Sequence, residues 1–222
     1  MRLIARFSKK EEARFVSHLD VQRLFGRAFR RANTPVCYSQ GFNPHPVLAF
    51  ATALATGVTS DAEWLDVKLA RDIEYEEFVS NINAALPSGI RVLEAFSADE
   101  KLPALTALLS AAAYTVRFSG DVGTQKLEEA LVSLMAGPIV VDKRTKGGIK
   151  PVDIRPQVHL AKFGLTDENI LVLYIKGQLD ASGSLNPDVF TKELLTRAGT
   201  DTDYKINRNT VFFTGGGETP LL

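Results

Sequence analysis

From its second residue the chain reads RLIARFSKK, in which Leu3, Ala5 and Phe7 alternate with Arg2, Ile4 and Arg6. The alternation is imperfect, but its period of two predicts a strand. Ser17 followed by Asp20 has the form of a capping box, so a helix is expected from about His18. Its apolar positions, Val21, Leu24, Phe25, Ala28, Phe29 and Ala32, make one stripe at helical spacing and leave Arg23, Arg27, Arg30 and Arg31 on the solvent side. Asn33-Thr34-Pro35 ends it. A short strand around residues 36–39 is expected next, then VLAFATALA and EWLDVKLA as extended segments. A second helix over residues 75–86 presents Tyr75, Phe78, Val79, Ile82 and Leu86 on one face. Pro87, Ser88 and Gly89 stop it, and IRVLEAF reads as a closing strand.

The order strand, helix, strand, strand, helix, strand then returns with different residues. YTVRFSG is a strand, residues 124–136 a helix with Leu127, Ala130, Leu131, Leu134 and Met135 inward, and PIVVDKR a strand. VHLAKFGL or NILVLYIKGQL supplies the next strand, residues 187–198 a helix with Phe190, Leu194 and Ala198 inward, and YKINRNTVFF the last strand. Because the middle strands of each half follow one another without a helix between them, the expected fold is α+β. It consists of two tandem ferredoxin-like (βαββαβ) units with antiparallel sheets. Residues 1–98 form the first unit, the Ala-rich stretch 99–113 the connector and residues 114–222 the second.

Composition narrows the function classes. The 222 residues carry 26 Lys and Arg against 26 Asp and Glu, which argues against a polyanion binder that is basic all over. Charge is nevertheless segregated: cations gather at Arg23, Arg27, Arg30 and Arg31 and at Lys143, Arg144, Lys146 and Lys150, acids at Glu74, Glu76, Glu77, Glu128 and Glu129. No run approaches the roughly 18 to 20 apolar residues that cross a bilayer, and the opening residues lack the pattern of a signal peptide, so a cytoplasmic protein without a membrane partner is expected. The single cysteine, Cys37, excludes an internal disulfide and a Cys-built metal or iron–sulfur site. No cofactor is expected on this chain, and redox or radical chemistry would sit on another.

Three features carry candidate chemistry. The helix arginines form a stripe about two turns long whose guanidinium forks suit phosphate oxygens; Arg-rich surface helices also serve solubility. The segment YSQGFNPHPVLAF combines Gly41, Phe42, Asn43 and His45 with two prolines in a shaped loop. There Phe42 or His45 can stack on a base and Asn43 can meet a base edge; the competing account folds Phe42 inward as a plug. In DKRTKGGIKPVDIRP, Lys143, Arg144, Lys146 and Lys150 surround a Gly-Gly pair, with Arg155 following. This is a basic hairpin or loop able to close on a nucleic-acid backbone, or a solvated tip with Lys as edge protection. His18, His45 and His159 have no metal-ligand spacing, and no metal is expected. His18 with Asp20, or His45 with Ser39 and Tyr38, remain weak catalytic candidates for cleaving RNA at a ribose 2′-hydroxyl. Phosphate loops of the GxxxxGK[ST] or GxGxxG form are absent.

FVSHLDVQRLFGRAFRRA, YSQGFNPHPVLAFATALATGVTSDAEWLDVKL and KGGIKPVDIRP resemble the radical-SAM-linked domain of unknown function that occurs in bacteria. That domain is found either as a separate protein or fused after B12-binding and radical-SAM modules. The resemblance implies RNA or ribosome business by gene association, and it transfers no catalytic residue. It makes the leading expectation an RNA-binding accessory protein that presents tRNA or rRNA to a radical-SAM RNA-modifying enzyme acting in trans, with no DNA partner. The alternatives are a metal-independent endoribonuclease, by analogy with CRISPR repeat-processing enzymes of tandem ferredoxin-like fold, and a protein-interaction module docking on the radical-SAM partner.

Overall fold

The first alternating segment becomes β1 (Arg2–Lys9), the centre of an antiparallel group of strands. One edge of β1 pairs with β3 (Thr59–Lys68), from Arg2↔Lys68 to Lys9↔Ser60. The other pairs with β4 (Ile90–Ala98), from Arg2↔Ala98 to Lys9↔Ile90, with a bulge after Arg6. The three-residue β2 (Leu48–Phe50) adds to β3, so the order is β4-β1-β3-β2. Two helices bridge these strands: α1 (His18–Arg31) after β1 and α2 (Tyr75–Ala85) before β4. The computed structural model describes residues 1–120, 123–145, 148–215 and 217–220, a mixed α+β chain of mostly antiparallel strands and few helices. It divides into two compact units, Met1–Leu109 with Thr210–Leu222, and Ser110–Asn209.

Helix α1 forms where the sequence asks for it. Ser17 Oγ accepts the Asp20 amide at 3.2 Å and donates to the Asp20 carboxylate at 2.7 Å, satisfying an orphan donor of the first turn. Val21, Leu24, Phe25 and Phe29 then bury against Leu3, Ala5 and Phe7 of β1, Leu65 and Val67 of β3, and Phe78 and Ile82 of α2. Each fully buried Phe of this cluster contributes about 2–3 kcal/mol of transfer free energy. Asn33, at φ 49°, turns the chain out of the helix ahead of Pro35. The expected strand at residues 36–39 reduces to isolated bridges, Val36↔Leu69 and Tyr38↔Pro46, because Pro35 and the loop leave only two residues able to pair.

At the end of the first unit's leading segment, α3 (Leu105–Leu108), a single turn, leads into β5 (Leu109–Phe118), which opens the second unit. Helix α4 (Thr124–Met135) follows, then β6 (Val140–Thr145) and β7 (Gly148–Asp153), which among the described residues pair only with each other, as a two-stranded ribbon. β8 (Val158–Leu165) and β9 (Leu171–Asp180) form a hairpin, with the two-residue β10 (Gly183–Ser184) also on β9. After them, α5 (Pro187–Ala198) starts with Asn186 accepting the Asp188 amide and stops at Gly199, φ 61°. β11 (Tyr204–Phe213) comes last. β9 pairs with β5 from Ala111↔Gln178 to Arg117↔Val172, and residues 204–209 of β11 lie beyond β5, giving β8-β9-β5-β11. β5 begins at Leu109, earlier than alternation indicates, because a run of alanines carries no strand signal until β9 supplies the ladder.

Candidate nucleic-acid interface

All four arginines of α1 are exposed, but they are not equally available. Arg23 Nη1 pairs with Asp20 Oδ1 at 3.0 Å. Together with the Ser17 hydroxyl, which contributes most, this holds the Asp20 carboxyl below its usual range. Arg30 Nε reaches the Gly26 carbonyl at 3.4 Å. Arg31 donates through Nη2 to the Ala85 carbonyl, the last residue of α2, where a cation complements the helix end. Arg27 has no hydrogen bond to a described residue and is exposed, close enough to Asp20 to add to the pull on its carboxyl.

The loop at residues 38–47 is closed along its length. The Val47 amide donates to the Cys37 carbonyl at 2.8 Å and the Ser39 amide to the His45 carbonyl at 2.9 Å. Ser39 Oγ accepts the His45 amide at 3.1 Å and lies 2.9 Å from His45 Nδ1. His45 Nδ1 also lies 3.5 Å from the Asn43 carbonyl. Gly41, at φ 126°, makes a turn no side chain would accept readily. Phe42 is fully exposed, so it is not a plug, and Asn43 and His45 are exposed as well.

The loop rests on α1. A methyl group placed on Gly26 would lie 3.7 Å from Pro46 Cγ, an ordinary contact distance. Arg23 and Arg30 are three residues before and four after Gly26, on the same strip of helix surface. The structure therefore brings the outgoing end of the GFNPHP segment onto the strip that carries Arg23 and Arg30.

In the other unit, Lys143, Arg144 and Lys150 are exposed on the β6–β7 ribbon, where Lys143 and Lys150 are direct cross-strand partners. Lys146 lies outside the described residues. The ribbon's base is tied down. Asp153 Oδ1 accepts the amides of Ile139 at 2.8 Å and Arg155 at 2.9 Å. Arg155 donates to the carbonyls of Met135 at 3.0 Å and Val158 at 3.2 Å, so its guanidinium is spent on the fold.

A third place escaped the sequence reading. Lys9 of β1 and Glu63 of β3 are 2% and 4% exposed, and with His18 they line a cavity of about 10 Å³ walled by Phe7, Val21, Phe50, Thr52 and Leu54. Lys9 Nζ donates to the carbonyls of Val16 at 2.7 Å and Arg14 at 3.3 Å. Burial holds the half-buried His18 imidazole below its ordinary pKa; Glu63 opposes this and Lys9 adds to it. His18 is nine residues from Arg27, about half a turn around the helix, and so faces away from it. The available signal was phase: Lys9 continues the inward series Leu3, Ala5, Phe7, and Glu63 the series Leu65, Val67. Among the described residues no group of three or more His, Cys, Asp or Glu could hold a metal ion, and no helix is long and apolar enough to cross a membrane.

Comparison with known proteins assigns the chain. Residues 2–187 match the model of a bacterial family described as "Uncharacterized protein conserved in bacteria (DUF2344)", and the chain belongs to that family. No curated protein matches it. Among solved structures it is similar to a chain in the "Crystal Structure of a Cbf5-Nop10-Gar1 Complex", with 9% identity and a TM-score of 0.50. That match covers 94% of this chain and 48% of the other, so this chain spans about half of its neighbour's length, and the likeness concerns fold alone. A second, "Crystal structure of putative glycine cleavage system transcriptional repressor", has 9% identity, covers 94% of this chain and 98% of that one, and at a TM-score of 0.23 has no weight.

Proposed function

We propose that this protein binds RNA and presents tRNA or rRNA to a radical-SAM RNA-modifying enzyme acting in trans. The observation that carries the RNA reading is the seating of Pro46 on Gly26, which places a stiff, solvent-facing loop beside exposed guanidinium groups of α1. Arg27 and Arg30, with Arg23, hold phosphate oxygens by charge-assisted bonds. Phe42 stacks on an unpaired base, and Asn43 and His45 Nε2 meet base edges. Lys143, Arg144 and Lys150 add backbone contacts on the second unit. The strand orders β4-β1-β3-β2 and β11-β5-β9-β8 support reading each unit as a ferredoxin-like split βαβ. The partner enzyme rests on the resemblance of the SHLD, GFNPHP and KGGIKPVDIRP segments to radical-SAM-linked domains.

Affinity for single-stranded RNA as a function of salt tests the arginine surface. Replacing Arg27 and Arg30 by Ala should lower the magnitude of the log–log slope by about 0.7 per contact, roughly 1.4 for the pair. A variant with the parent's slope would remove the arginines from the interface.

A further inference from the structure

We propose that the chamber formed by Lys9, His18 and Glu63 is a proton-sensing site whose state is transmitted through Phe50 and β2 to the loop at residues 38–47. The site stands by itself; only its consequence, proton-dependent presentation of the loop to RNA, rests on the reading above.

The chamber is built for one small change at a time. Its cavity of about 10 Å³ has room for about one water, so a charged imidazole is hydrated from its exposed side and not from within the chamber. The charges facing His18 come from two strands: the Lys9 ammonium from β1 and the Glu63 carboxylate from β3. The segment running on from β2 brings Phe50, Thr52 and Leu54, none of them charged. On its own helix, Asp20 is turned to Ser17 and Arg23, while Gln22 Nε2 lies 3.2 Å from His18 Nε2. With the amide nitrogen donating, the neutral ring accepts through Nε2. Protonation puts a second N–H against that donor and a cation against Lys9, so the amide must rotate or the ring must move outward. Glu63 limits the repulsion without removing the clash.

The contact that registers the movement is aromatic. The His18 ring meets the Phe50 ring edge-on at 5.4 Å, and Phe50 is packed in turn on Phe7 and Phe25, each at 5.7 Å. Phe50 ends β2, three residues after Val47, whose amide closes the loop onto Cys37 and whose carbonyl accepts the Lys68 amide at 3.0 Å. A shift of His18 relaxes one wall of Phe50, and the strand carrying Phe50 is the one from which the loop hangs.

The test is an NMR titration from pH 8 to pH 5 in the His45→Gln protein, so that the loop's own imidazole cannot imitate the effect. The His18 ring should titrate below the ordinary histidine range, and the amides of Ser39 and Val47 should shift with the same midpoint. Lys9→Met should raise that midpoint and Glu63→Gln should lower it, responses that a purely structural contact would not give. If Lys9→Met does not fold, the titration of the His45→Gln protein still decides. A His18 ring that titrates while Ser39 and Val47 stay still overturns the proposal and leaves the RNA reading untouched. A salt slope unchanged on replacing Arg27 and Arg30 would do the reverse.

Discussion

The loop at residues 38–47 and the β6–β7 ribbon both carry exposed side chains away from a core, and they are held in opposite ways. The loop is fixed along its length, by the Cys37 and Val47 backbone bond, the Ser39 and His45 pair, and the seating of Pro46 on α1. The ribbon is anchored by Asp153 and Arg155 where it leaves the fold and held beyond that point by its own ladder, with Lys143, Arg144, Ile149 and Lys150 all exposed. A partner of the loop therefore meets groups whose ordering cost was met on folding, which favours selective contact. A partner of the ribbon meets a row of exposed cations, which suits the sequence-blind pull of a phosphate backbone. Lys143 opposite Lys150 makes the same point, since like charges facing across a ladder work against it.

This contrast breaks if the loop's internal bonds are idle. Ser39→Ala removes both side-chain contacts to His45 and should raise loop opening about fivefold, or ~1 kcal/mol, read as faster exchange of the residue-39 amide, which keeps its bond to the His45 carbonyl, with overall stability nearly unchanged. Unchanged exchange would make the loop no better ordered than the ribbon. A smaller effect sharpens the other half. Lys150→Gln relieves the opposed pair and should raise the melting temperature by about 1 °C, while lowering the RNA salt slope by about 0.7. A fall in melting temperature would mean that this lysine supports the ribbon.

The parts of the fold visible in the sequence are those written in local terms. Ser17 and Asp20, the stripe from Val21 to Phe29, and the inward positions Phe190, Leu194 and Ala198 place helices within a residue or two, because caps and periodicity act over a few positions. The strand content of the alanines before Tyr114 was hidden, since only pairing with β9 makes it a strand. The same holds for residues 210–215 and 217–220, which cluster with the first unit through contacts no local pattern encodes. At the candidate site, the loop and the arginine row were readable as residue types, but Pro46 meeting Gly26 was not, because neither residue carries a recognition signal. Arg155 looked like a free cation for a related reason: its carbonyl partners, on Met135 and Val158, have no signature. Lys9 and Glu63 have no signal in their sequence neighbours, and strand phase alone turns them inward.

The central claim is that the loop and the α1 arginines make one RNA-binding surface, and ultraviolet crosslinking to cellular RNA followed by peptide mass spectrometry tests it most directly. The account predicts a nucleotide adduct on Phe42 that is lost when Arg27 and Arg30 are both replaced by Ala. An unmodified Phe42 with adducts elsewhere, or an adduct on Phe42 indifferent to both arginines, would contradict it.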